Sequence, residues 1–137
     1  MNTVTPLRPA DAAPAADSYR QPPHNLEAEM ALLGAILINN EACDRVTQFL
    51  QPDHFFEALH ARIFDAAASL IRVGKLASPV TLRSFFENDV TMKEVGGPAY
   101  LARLAASATT IINAEEYGRI IHELAQRRKL ISVGTDI

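Results

Sequence analysis

Tryptophan is absent from the 137 residues, and cysteine occurs once, as Cys43. A lone thiol has no intramolecular partner, so no disulfide staples this chain, and exported proteins seldom carry one unpaired thiol. The expected place for Cys43 is that of a small buried apolar residue. The longest apolar stretch, Met30 to Ile38, falls far short of the roughly 20 residues a bilayer crossing needs. The N-terminus shows no basic stretch followed by an apolar core, so no signal peptide is legible. Together these absences lead to an expected cytoplasmic location with no membrane partner.

Positive charge is also scarce. The formal net charge is −3, whereas a nucleic-acid-binding module usually shows a basic face or stripe. The one basic cluster, Arg127, Arg128 and Lys129, is expected to be a solvated helix face. Direct nucleic-acid binding by this segment is therefore not expected.

Catalytic patterns are missing as well. There is no G-x-x-x-x-G-K-[ST] and no G-x-G-x-x-G, and the single Gly-Lys pair, Gly74-Lys75, lacks both the earlier glycine and a following Ser or Thr. His24, His54, His60 and His122 include no pair at the i, i+4 spacing of a helical zinc site. A polar surface or capping role is expected for His54 and His60. Ser69, Ser84 and Ser107 lack the glycine context of a nucleophile elbow. No catalytic, cofactor-binding or metal-ligating residue is assigned, and a non-catalytic chain is expected.

What is present is helix. Alanine is abundant and β-branched runs are rare, which favours helix over strand. Residues 1–23 hold five of the eight prolines and few large apolar side chains, the composition of a disordered tail. A helical head is expected over 24–112. Its first helix spans Leu26 to Ile38, with Asn25 as N-cap and Glu27 and Glu29 in the first turn. It is apolar nearly all round, which requires burial on several sides or an interface. Gly34 in its middle costs about 1 kcal/mol relative to Ala, a cost that close approach of a neighbouring helix would justify.

Asn40 is expected to cap a second helix from Glu41 to Leu50, followed by a short turn from Pro52 to Phe55. A third helix is expected over Glu57 to Val73, with Gly74 as its C′ residue. Ser78-Pro79 reads as an extended connector into a helix over Thr81 to Asn88, with Leu82, Phe85 and Phe86 inward. Gly96-Gly97-Pro98 opens the next helix, with Tyr100, Leu101 and Leu104 apolar.

The last helix starts after Asn113, with Glu116 three residues on as in a capping box. Its apolar stripe is Tyr117, Ile120, Ile121, Leu124 and Ile131. Two readings stand open: burial in the domain's own core, or packing against another copy or a missing helix. The stripe runs almost to Ile137 without a stop signal, so residues 113–137 are expected to be the start of a truncated helical hairpin. The fold class is then all-α: a compact multi-helix head followed by the first hairpin helix.

Several short motifs, in order, resemble the N-terminal domain of DnaB-type replicative helicases. Pro22-Pro23-His24-Asn25-Leu26-Glu27-Ala28-Glu29 is similar to that family's P-P-x-x-x-E-A-E opening, and Leu33-Gly34 continues it. Asp53-His54-Phe55-Phe56, His60-Ala61-Arg62-Ile63-Phe64 and Pro79-Val80-Thr81-Leu82 follow. Val95-Gly96-Gly97-Pro98-Ala99-Tyr100-Leu101 is similar to V-G-G-x-x-Y-L. Asn113-Ala114-Glu115-Glu116-Tyr117 and Arg128-Lys129-Leu130-Ile131 complete the series. The resemblance covers residues 22–137, and it is the order of these motifs that makes it specific.

The resemblance implies a helical head, a hairpin, a linker and then a RecA-like ATPase. In that family the N-terminal domains form a collar, a trimer of dimers on a hexameric ring, which binds the primase C-terminal domain and influences which helicase loader engages. It implies that the parent protein uses ATP and Mg2+ to move 5′ to 3′ on single-stranded DNA, through a motor domain missing here. It also implies that Tyr117, Ile120, Ile121 and Leu124 form the hairpin face that packs on another subunit. The competing expectation is a free-standing helical adaptor, motivated by the absent catalytic set.

Overall fold

The computed structural model describes residues 21–108 and 113–136. Of the tail expected over residues 1–23, residues 1–20 lie outside them. Among the described residues every regular element is helical, the all-α class expected above.

Helix α1, Leu26–Ile38, is the hub. The Asn25 carboxamide accepts a hydrogen bond from Ala28 N at 2.9 Å and so satisfies one of the four free amides of the first turn. Leu32 to Leu37 are all buried, so the apolar circumference reflects burial on every side. Its main neighbours are α6 (Ala99–Ser107), α7 (Ala114–Asp136) and α3 (Ala58–Arg72). A Cβ on Gly34 would lie 2.2 Å from the Leu104 carbonyl oxygen of α6. The two backbones therefore touch at this crossing, and glycine is the only residue that fits.

The second expected helix is shorter than its pattern. Regular α2 covers Glu41–Asp44, and turns carry the chain on to Phe49. Ala42, Cys43, Val46 and Leu50 are nonetheless buried, so helical spacing survives where regular bonding does not. Asn40 does not cap α2 with its side chain. Its carboxamide donates to the Ile36 and Ala77 carbonyls, both at 2.8 Å, and accepts from Ala77 N at 3.0 Å. It thereby ties the end of α1 to the segment that follows α3. Cys43 is buried as expected, and burial, with help from Asp44, pushes its thiol up to about 11.

A 3-10 turn, Pro52–His54, leads into α3. Helix α3 ends in a Schellman arrangement: Gly74 N bonds Ile71 O at 3.0 Å and Lys75 N bonds Leu70 O at 2.9 Å. Gly74 itself has φ of +81°, where only glycine is at ease.

Ser78 is extended as expected, with φ of −151° and ψ of 170°, but Pro79 is already helical. Ser78 caps Thr81 N at 3.2 Å, and Pro79 is the first residue of the short helix α4, Pro79–Leu82. A 3-10 turn over Arg83–Phe85 follows. Tightening from 3.6 to about 3.0 residues per turn rotates Phe85 outward, to 54% exposure, and leaves Leu82 and Phe86 buried. Helix α5, Val90–Glu94, had no counterpart in the sequence reading. Asp89 caps it through Met92 N at 2.9 Å and pairs with Arg62 of α3, which holds the Asp89 carboxyl down at about 2.

The first half of α7 belongs to the same core as α1. Ala114 and Ile121 are fully covered, and a Cβ on Gly118 would meet Val46 Cγ1 at 2.6 Å. The second half differs: Lys129 to Gly134 are exposed without a break.

Candidate interaction surface

A carboxylate has no place on an all-round buried helix unless it is fully bonded. Glu29 is 2% exposed. Its Oε2 accepts from Phe56 N at 2.6 Å and its Oε1 from Glu57 N at 3.3 Å. Oε1 also bonds His60 Nδ1 at 2.8 Å, and His60 Nε2 meets the Tyr100 hydroxyl at 2.7 Å. Burial, reinforced by the charges of Glu57 and Glu29 and opposed by Arg103, raises the Tyr100 phenol above its ordinary value. The phenol therefore stays protonated at neutral pH, and its hydroxyl shares one hydrogen bond with Nε2 while Nδ1 faces the Glu29 carboxylate.

This relay joins α1, α3 and α6, and it is complete: among the described residues no buried side-chain nitrogen or oxygen lacks a partner. His60 thus departs from the expected surface or capping role. The available signal was Glu29 itself, three and four positions before buried Leu32 and Leu33, where a carboxylate demands donors.

The relay also pins Phe56, and Phe56 supports α7. His24 stacks on the Phe56 ring at 4.0 Å, and the Arg128 guanidinium sits 5.5 Å from the ring centre. Arg128 also donates to Pro23 O at 2.9 Å and to His54 O at 2.6 Å. It is half-buried, unlike its exposed neighbours Arg127 and Lys129, so the expectation of a wholly solvated basic face fails at this residue. His54 fills a capping role, its Nδ1 accepting from Gln51 N at 2.9 Å. Burial lowers the pKa of this imidazole against the pull of Asp53, with His122, Arg128 and Lys129 adding to the lowering. A neutral ring with Nδ1 as acceptor agrees with that direction.

The structure divides the four expected interface residues. Ile121 is 2% exposed and packs in the chain's own core. Tyr117 and Ile120 are half-buried against that core, beside Glu27, Ala28 and Ala31 of α1. Leu124 is half-buried as well. Helical periodicity locates a stripe, but it does not tell a neighbour within the chain from one outside it. Further along α7, Leu130 at 72%, Ile131 at 54% and Val133 at 51% exposure are uncovered, Leu130 and Val133 beside Gln126 and Lys129; Val80 and Val90 of α4 and α5 are as exposed.

This division makes a direct prediction. Ile121→Asp should abolish cooperative folding, because an isolated buried charge costs several kcal/mol. Leu124→Asp should retain most of the helical signal. Thermal melts followed by circular dichroism separate the two, and equal losses would contradict the division.

Among the described residues no three His, Cys, Asp or Glu side chains gather so as to hold a metal ion. No helix of these residues is long and apolar enough to cross a membrane.

A family model described as the DnaB-like helicase N terminal domain matches residues 21–123. The chain belongs to that family. It is 44% identical over 115 residues to the replicative DNA helicase DnaB of Rickettsia prowazekii, covering 84% of this chain and 24% of the relative. It is 38% identical over 118 residues to the replicative DNA helicase DnaC of Bacillus subtilis, covering 86% of this chain and 26% of that protein. The chain thus spans about a quarter of the length of these curated relatives.

Its fold is similar to the crystal structure of the N-terminal domain of DnaB helicase from Mycobacterium tuberculosis. The TM-score is 0.78 at 33% identity, over 85% of this chain and 81% of that one. It is also similar to a DnaB-like replicative helicase whose structure was described with its interactions with primase. There the TM-score is 0.68 at 28% identity, over 82% of this chain and 26% of that one. Glu29, His60, Tyr100 and Arg128 each fall on a DnaB-like motif quoted above, and the contacts just described connect all four motifs.

Proposed function

We propose that this domain is the non-catalytic collar end of a replicative DNA helicase, acting in subunit assembly and primase binding. One observation carries the reading beyond family membership. After a first half committed to the head's core, α7 projects a run of exposed residues with Leu130 and Val133 uncovered. Leu130 and Val133 lie three positions apart on one helix face, an apolar strip available to another protein surface. Similarity to a helicase characterised with primase supports primase as one such partner.

On this reading the parent protein unwinds DNA 5′ to 3′ in the cytoplasm as a hexameric ring, its collar a trimer of dimers. ATP and Mg2+ bind in a motor domain outside these residues, single-stranded DNA is engaged through that motor, and a helicase loader is a further partner. The test is enzymatic. A longer product of the same gene that includes the motor should hydrolyse ATP in the presence of single-stranded DNA, and residues 1–137 alone should not. ATP hydrolysis by the 137 residues would overturn the reading.

A further inference from the structure

We propose that Arg128 is a latch that sets the direction in which the distal half of α7 leaves the head. Three observations carry this. The first is position: Arg128 is half-buried, and every residue after it through Gly134 is exposed. The angle at which the helix is held here is therefore the angle at which Leu130 and Val133 are presented.

The second observation is chemistry. The guanidinium reaches two separate pieces of chain, Pro23 O at 2.9 Å and His54 O at 2.6 Å, and covers the Phe56 ring. A planar fork of donors with permanent charge suits two carbonyls and a ring at once, whereas a lysine ammonium is a flexible point charge without that geometry. The third is the footing. Phe56 N–H is fixed by Glu29, itself held by His60 and Tyr100, and His24 stacks on the Phe56 ring. The latch closes on a rigid support rather than on a loose loop.

The partners of Arg128 are carbonyls and an aromatic face, so no buried ion pair has to be broken to open it. Two segments of chain and α7 meet at one side chain, and releasing it lets α7, one continuous helix over Ala114–Asp136, tilt about its core contacts at Ala114, Gly118 and Ile121. The use of the latch rests on the assembly role proposed above; its geometry does not.

The experiment needs no partner protein and so separates the two ideas. Spin labels are placed at exposed Asp65 and Ser132 through D65C and S132C, with native Cys43 buried and its thiol poorly reactive. A control pair within the head uses D65C and A102C, both exposed sites. Labelled protein is diluted into excess unlabelled chain, so that distances within one molecule dominate. The latch predicts one narrow distance distribution for 65–132, lost in Arg128→Ala and in Phe56→Leu and partly lost in Arg128→Lys, while 65–102 stays narrow throughout. An unchanged 65–132 distribution in both Arg128→Ala and Phe56→Leu would overturn the proposal. Equal broadening of both pairs would also overturn it, by showing that Arg128 supports the whole head instead of the exit angle.

Discussion

Glu29→Ala is expected to cost this domain about 3–5 kcal/mol, enough to remove most of the margin of a small single domain. The carboxylate is the common acceptor for Phe56 N, Glu57 N and the His60 ring. Alanine strands all three donors, and each buried unsatisfied group costs about 1–3 kcal/mol. The His60 ring, 3% exposed, pays in full, and the two partly buried amides pay less. Glu29→Gln should cost less, because one oxygen still accepts while the new amide group faces donors. Chemical denaturation followed by circular dichroism measures both variants. A loss under about 1 kcal/mol for Glu29→Ala would show that water replaces the carboxylate and that the relay is dispensable.

Gly34→Ala should also be strongly destabilising, against the ordinary trend. Alanine in a helix interior is favoured over glycine by about 1 kcal/mol. Here the added methyl would lie 2.2 Å from the Leu104 carbonyl oxygen and 3.1 Å from its carbon. Those are backbone atoms, so no side chain can swing aside. Separating α1 from α6 loosens contacts of Leu32, Leu33, Leu101 and Leu104, all at most 1% exposed. Overpacking of a well-filled core costs about 1–3 kcal/mol and more when backbone must move. A net loss of about 2–4 kcal/mol is expected. Gly134→Ala is the matched control, because nothing lies within 4 Å of a Cβ there, and it should leave stability unchanged or slightly higher. Stabilisation by Gly34→Ala would mean that the two helices do not cross in backbone contact.

Sequence patterns located the elements that close by local rules. Asn25 and its following acidic turn mark the start of α1, and Gly74 marks the end of α3, because caps are satisfied within a few residues of chain. The close approach at Gly34 was also legible, as a glycine with no local reason to be there. Helix α5 was not, since five residues are too few to show a period. Phe85 pointed the wrong way because a 3-10 turn replaced the helical repeat assumed for it.

The relay and the latch were illegible for a different reason. Glu29 and His60 are 31 positions apart, and Arg128 and Pro23 are 105 apart. Such pairs form only once the fold has brought their helices together. Of the stripe expected on α7, Tyr117, Ile120, Ile121 and Leu124 lie on the buried or half-buried side, and Ile131 is exposed. Ile121 faces inward, while Leu130, Ile131 and Val133 further along the same helix are exposed.

We propose the distal half of α7 as an assembly surface of a helicase collar. It is tested most directly by the mass in solution of a longer product of this gene that carries the chain past Ile137. Light scattering should be recorded with and without the primase C-terminal domain, on the unaltered protein and on a Leu130→Asp, Val133→Asp double variant. The account predicts self-association and primase binding in the unaltered protein. In the variant it predicts loss of self-association, with the helical signal and melting of the head retained. An unchanged mass in the variant would remove this surface from the assembly and contradict the account.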